Sequence, residues 1–240
     1  MTKKEKPAFT LAEVLITLGV IGVVAAMTMP TLIQNYKKHV VETKLSKFYT
    51  VINEAVKMSE TVNGDKRYWD ELGRGFEEDN EGNPDYSKPL TLAWFEKYLK
   101  PYLKYSKIEI FNNKNTNGEV FVYFEDGSLL QLNKVVWTFY PNQKNLKIYK
   151  NQDDLLQRSQ STGTDSFCFL FEPNSTYSWL KYHKGKGVEP YMSGWDGSRE
   201  KLLDDESIGC RTNATNEPAY CTKLIQLNGW KIPKDYPLKF

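Results

Sequence analysis

The chain has 240 residues, 40% of them hydrophobic and 14% aromatic, with 32 basic against 30 acidic side chains and a formal net charge of +2. That length holds one globular domain with an extension, or two small domains, and the aromatic content argues against disorder despite a mean hydropathy of −0.57. Lys3, Lys4 and Lys6 against Glu5 carry the whole excess, so the rest is formally neutral and lacks the general basic surface of a nucleic-acid binder.

The first element is an apolar run. Val14 to Gln34 contains no charged residue, and at about 1.5 Å per residue a helix over it is roughly long enough for a bilayer core of about 30 Å. The basic leader favours a cytoplasmic N-terminus. The run is too long for a cleavable h-region, and no small-x-small cleavage site follows it. Instead the apolar residues continue with steps of three and four: Leu32, Ile33, Tyr36, Val40, Val41, Leu45, Phe48, Tyr49, Ile52, Ala55, Val56. The spacing predicts one helix over 9–62, apolar over 9–33 and amphipathic beyond. Pro30 is expected to kink or locally melt it, and Gly19 and Gly22 to soften it and admit close helix approach.

The stretch "AFTLAEVLITLGVIGVVAAMTMP" closely resembles the class III signal sequence of type IV pilins and type II secretion pseudopilins: a basic leader, a small residue, Phe-Thr-Leu-x-Glu, then an apolar run. The resemblance covers roughly the first fifty-five residues. It implies that a prepilin peptidase removes residues 1–8 by cutting between Ala8 and Phe9, then methylates the new amine of Phe9. The family usually carries glycine where this chain has Ala8, which implies slower cleavage. The apolar helix would stay in the mature protein. Glu13 would be its fifth residue, and a carboxylate in hydrocarbon costs several kcal/mol unless paired. The amine of Phe9 on a neighbouring subunit would neutralise it and fix the axial register. The bland alternative is a glutamate snorkelling to the headgroups.

From residue 63 the helical period stops, and 63–89 reads as a long surface connection rich in Gly, Asn, Asp and Pro. Residues 90–105 read as a helix broken near Pro101. Short β-branched and aromatic runs follow at 107–111, 119–124, 128–132, 135–140, 145–150 and 165–172, with Asp126-Gly127 marking a tight hairpin turn. In the last run Phe167, Phe169 and Phe171 share one face, leaving Cys168 and Leu170 on the other. A further strand at 177–182 is expected to pair with it. A meander of antiparallel strands against the long helix is the simplest assembly. Residues 63–240 thus form an α+β head, the layout the pilin resemblance also implies.

Cys210 and Cys221 enclose ten residues. The resemblance places the head outside the cytoplasm, where a disulfide between them persists; two free thiols are the alternative. Cys168 reads as a buried strand residue. The stretch 218–230 reads as a short helix ending at Asn228-Gly229. "DNEGNPD" (79–85) gathers oxygen ligands but lacks EF-hand spacing and reads as a solvated loop rather than a calcium site. "WLKYHKGKGVEPY" mixes bases and aromatics as single-strand binders do, yet an exposed hairpin is the simpler reading. Asn174 and Asn213 open glycosylation sequons of the kind expected by chance. There is no GxSxG, P-loop, HExxH or CxxC motif, so the sequence points to no catalytic residue, metal or cofactor.

The resemblance thus implies a structural filament subunit, single-pass in the inner membrane with its head in the periplasm before assembly. Its partners would be copies of itself and other pilins, the prepilin peptidase, and an assembly platform with its ATPase. The alternative within the family is a pseudopilin of a type II secretion system. From another class, the alternative is a signal-anchored extracytoplasmic binding domain or enzyme.

Overall fold

The computed structural model describes residues 10–73, 75–110, 118–146 and 162–240. The architecture is α+β: a 53-residue apolar-to-amphipathic helix α1 (Leu11–Asn63), a two-stranded hairpin, a six-stranded antiparallel sheet and three short helices. It divides into two compact units, one over Met1–Val40 and one over Val41–Lys239, so the division falls inside α1. The physical reason is burial. Residues 11–36 of α1 bury nothing fully, whereas from Val41 the helix buries Val41, Leu45, Phe48, Ile52, Ala55, Val56 and Ser59, a stripe with steps of three and four.

In the second unit the sheet is a pure meander. β3 (Lys107–Ile110), β4 (Val120–Tyr123), β5 (Leu129–Asn133), β6 (Val136–Tyr140), β7 (Phe167–Leu170) and β8 (Glu189–Pro190) are neighbours in chain order. Register puts Val122, Leu130 and Phe139 side by side across three strands, and Trp137 beside Phe169. Phe48 of α1 stacks on Phe139 at 4.2 Å between centroids and meets Phe169 edge-on at 5.0 Å. Phe169 and Cys168 do face opposite ways, yet both faces of β7 are buried. The β4–β5 connection is the tight turn the Asp-Gly pair predicts, with Gly127 at φ +77°. α2 (Leu90–Tyr98) ends before Pro101, which sits in a 3-10 turn over Lys100–Tyr102.

Two sequence expectations need correction. Residues 63–89 are no plain connection: Trp69 and Leu72 are buried, and β1 (Phe76–Glu78) pairs with β2 (Pro84–Pro89). The Asp79 carboxylate accepts the N–H groups of Glu81 and Asn83, both at 2.9 Å, so the oxygens of "DNEGNPD" serve a turn. The 177–182 segment is not a strand; it forms a 3-10 turn over Ser178–Leu180, and β8 takes the place beside β7. The expected strand at 145–150 lies largely outside the described residues; Gln143–Asn145 is a 3-10 turn. Toward the end, α3 (Arg199–Asp204) was not anticipated, and α4 (Cys221–Leu227) confirms the short helix, which begins after Ala219.

Polar side chains of α1 fix the other segments of this unit. Asn53 donates from Nδ2 to the Val188 carbonyl at 2.8 Å and accepts the Val188 N–H on Oδ1 at 2.9 Å. Gly187 makes this approach possible, because a Cβ there would lie 2.1 Å from Asn53 Oδ1. Lys44 donates to the carbonyls of Asp126 and Pro141, at 2.8 and 2.7 Å. Glu42 accepts from Lys231 Nζ and the Ile232 N–H, both at 2.9 Å. Asn53→Ala strands both backbone groups of fully buried Val188, so it is expected to lower unfolding stability by about 2–4 kcal/mol. Urea denaturation followed by tryptophan fluorescence reads this directly, and Gly187→Ala is expected to lower the midpoint in the same direction.

Candidate functional site

The sequence singles out the start of α1, and the structure gives its local chemistry. Thr10 and Glu13 close a reciprocal capping box: the Glu13 carboxylate accepts the Thr10 N–H and hydroxyl, both at 2.8 Å, and Thr10 Oγ1 accepts the Glu13 N–H at 3.2 Å. Glu13 therefore sits at the third helical position, where the helix dipole also favours a negative charge. The signature Thr-x-x-Glu stands in the sequence at 10–13 and was overlooked there in favour of an intersubunit partner. Ala8 and Phe9, the expected cleavage site and the second half of that charge pair, lie outside the described residues.

Beyond the cap the helix meets the demands of an apolar surrounding. Thr17 donates its hydroxyl to the carbonyls of Glu13 and Val14, and Thr28 to that of Val24 at 2.9 Å, so neither hydroxyl requires water. The helix is long and apolar enough to cross a membrane, and none of its most apolar 18-residue window is buried. Pro30 lies inside α1 without interrupting it, so of the expected kink or local melting the helix shows no melting. One missing N–H is tolerated when the turns on either side remain hydrogen-bonded. Gly19 and Gly22 are helical too, and no atom lies within 4 Å of where their Cβ would be, so they mark an open strip of helix surface.

In the second unit Cys210 and Cys221 are joined by a disulfide, and Cys168 is buried in β7. The bridge sits in a cluster with Met192, Trp195, Leu202, Tyr220 and Leu224. Gly163 packs on it so closely that a Cβ would come within 2.6 Å of Cys221 Sγ. Among the described residues no group of three or more His, Cys, Asp or Glu side chains is placed to hold a metal ion. The basic–aromatic segment 179–191 is not the expected hairpin: it leaves a 3-10 turn through further turns, burying Leu180, His183 and Val188 while Lys181, Lys184 and Lys186 stay exposed. Tyr49 donates to Glu189 Oε1 at 3.0 Å; burial and then that carboxylate push its hydroxyl up to about 12.

His183 Nε2 accepts the Met192 N–H at 3.2 Å, which assigns the ring proton to Nδ1; that buried atom has no hydrogen-bond partner among the described residues. Burial, and then the Lys223 ammonium, lower the imidazole from 6.5 to about 4. Above pH 6.5 the ring is neutral in both folded and unfolded chains. Between pH 6.5 and 4 the unfolded chain binds a proton that the folded chain refuses, so stability falls as pH falls, by about 3 kcal/mol at the lower end. His183→Gln keeps an acceptor and does not titrate. Urea midpoints measured between pH 7 and 4 are expected to drop less steeply for this variant than for the wild type.

The chain belongs to a family of unknown function, DUF6613, which matches residues 31–240 and leaves the first thirty residues outside the match. No curated protein and no solved structure matches it.

Proposed function

We propose that this member of DUF6613 is a structural subunit of a type IV pilus-like filament, held in the inner membrane by the first half of α1 until it is assembled. The observation that carries this reading is the run Phe9-Thr10-Leu11-Ala12-Glu13 at the head of an unburied apolar helix. After removal of residues 1–8 and methylation of Phe9, the head would stand in the periplasm, consistent with the Cys210–Cys221 bridge. Assembly, not catalysis, is then its activity: apolar helices exchange lipid contacts for contacts with one another, with Gly19 and Gly22 allowing close approach.

The capping box refines the role of Glu13. Before assembly the carboxylate has a local partner in Thr10, so the monomer can wait in the bilayer without an unsatisfied charge. In the filament the amine of Phe9 on a neighbour would supply the neutralising charge and set the register. The same N-terminal chemistry serves a pseudopilus of a type II secretion system.

Two substitutions separate capping from charge pairing. Glu13→Gln keeps an acceptor for the cap and removes the charge, whereas Glu13→Ala removes both. Charge pairing predicts that both variants accumulate as processed monomers and that filaments vanish from electron micrographs, at least tenfold below wild type. Filaments of normal abundance in Glu13→Gln would refute the pairing. Mass spectrometry of the mature N-terminus is expected to find N-methylated Phe9; an intact Met1, or a cut beyond Pro30, would overturn the filament reading.

A further inference from the structure

The second unit holds a cavity of about 450 Å³ beside the β5–β6 turn, in the size range of small-molecule sites. Its floor is aromatic. Trp69, Trp94 and Phe171 lie within 6.0 Å of one another, centroid to centroid. Both indole N–H groups are already bound, to the carbonyls of Gly64 and Asp70 at 2.8 and 3.0 Å, and the three rings are buried, so the floor is a closed apolar layer with no donors to offer. At its lip Tyr177 stacks on Trp179 at 4.5 Å and 16°, and the two rings are 57% and 53% exposed.

The polar groups around the cavity differ in how they are partnered. The lining contains the ionic side chains Lys66, Asp70, Glu71, Lys134 and Glu172. Lys66 is bound to Glu60 and Asp70 to Lys97. Glu172, Glu71 and Lys134 form no ion pair or side-chain hydrogen bond with the described residues. Glu172 is half-buried: burial pushes its carboxyl upward, the Lys134 ammonium pulls it back and the Glu71 carboxylate adds to the rise, so the three charges act on one another across the cavity. Lys134 is held at a cost. It is the first residue of the two-residue β5–β6 turn, at φ +49°, a position that strongly prefers glycine. The Trp137 indole donates to the Lys134 carbonyl at 2.9 Å and locks the turn. A strained lysine over an aromatic cavity is the kind of departure from folding economy that marks a working site.

Two carboxylates against one ammonium leave a net negative rim that disfavours a phosphate or another anion. A purely apolar ligand would leave the rim charges desolvated and unmet. What fits is a ligand with apolar C–H faces for the rings and many neutral hydroxyls for charged acceptors and donors. We propose that this cavity is a saccharide-binding site, with Glu172, Glu71 and Lys134 meeting sugar hydroxyls and the Tyr177–Trp179 stack carrying a further ring outside the cavity.

The test uses the full-length chain in a zwitterionic detergent with no sugar headgroup. N,N′-diacetylchitobiose, cellotriose and maltotriose are titrated separately, following tryptophan fluorescence and saturation-transfer NMR of the sugar protons. At least one is expected to bind saturably, with transfer to ring C–H protons. Glu172→Gln and Trp179→Ala are expected to weaken that binding tenfold or more at unchanged near-ultraviolet circular dichroism. Lys134→Gly is expected to weaken it as well while raising the urea midpoint, a combination a merely structural lysine would not give. The proposal is overturned if none of the three sugars saturates the wild type, if the three variants bind as wild type does, or if a lysine-rich peptide saturates the site in their place.

Discussion

The contact between Asn53 and Val188 is the constraint on which the folded head turns. Strands pair with strands through backbone groups, and helices have none to offer from their flanks. Asn53 supplies one donor and one acceptor from a side chain, and so lets α1 satisfy a buried backbone residue as a neighbouring strand would. The consequence runs in both directions along the chain. Gly187 must lack a side chain, and Val188 and Glu189 are delivered to the edge of β7, where β8 closes the meander. Tyr49, one helical turn before Asn53, holds Glu189 from the same side. Packing alone would let a stripe of leucine and phenylalanine slide along the sheet. Directional bonds at Glu42, Lys44, Tyr49 and Asn53 fix its position.

On the filament reading proposed above, Glu13 would serve two states. A carboxylate in an apolar segment must be satisfied in every state that lives long enough to matter. The capping box satisfies it within one chain, using a threonine three residues away and the helix's own unpaired N–H groups. A partner from another chain then competes with a bonded group and not with an exposed charge. Any such exchange is therefore closer to balance than a bare buried charge would suggest, which is what the filament reading proposed above requires.

Much of the fold could be read from the sequence because its signals are local and periodic. The 3.6-residue stripe of α1, the Asp126-Gly127 turn, the break at Pro101 and the alternation of Phe167 and Phe169 each depend on a few adjacent residues. Residues 63–89 were misread because their turn chemistry masks two short strands and two buried anchors, Trp69 and Leu72. Tertiary burial of those side chains outweighs a polar, glycine-rich composition. The segment 177–182 has strand-like composition, but Leu180 is its one buried residue and the next is His183, three on, the spacing of a turn and not of a strand. The capping box was visible and missed. The Asn53 clamp and the strain at Lys134 are tertiary facts, with no local signature to read.

The placement of aromatic residues separates folding from function in the head. Trp69, Trp94, Trp137 and Phe171 form a connected set inside, where each ring contacts at least one other and the three indole N–H groups end on backbone carbonyls. Tyr177 and Trp179 stay outside, as Tyr68 and Tyr36 do elsewhere, but these two stack on each other. Their stack continues from the lip of the cavity that the inner set floors. Folding accounts for the inner rings. The strained Lys134 beside the same cavity costs the folded chain stability, and the ligand proposed above would meet both it and the outer pair.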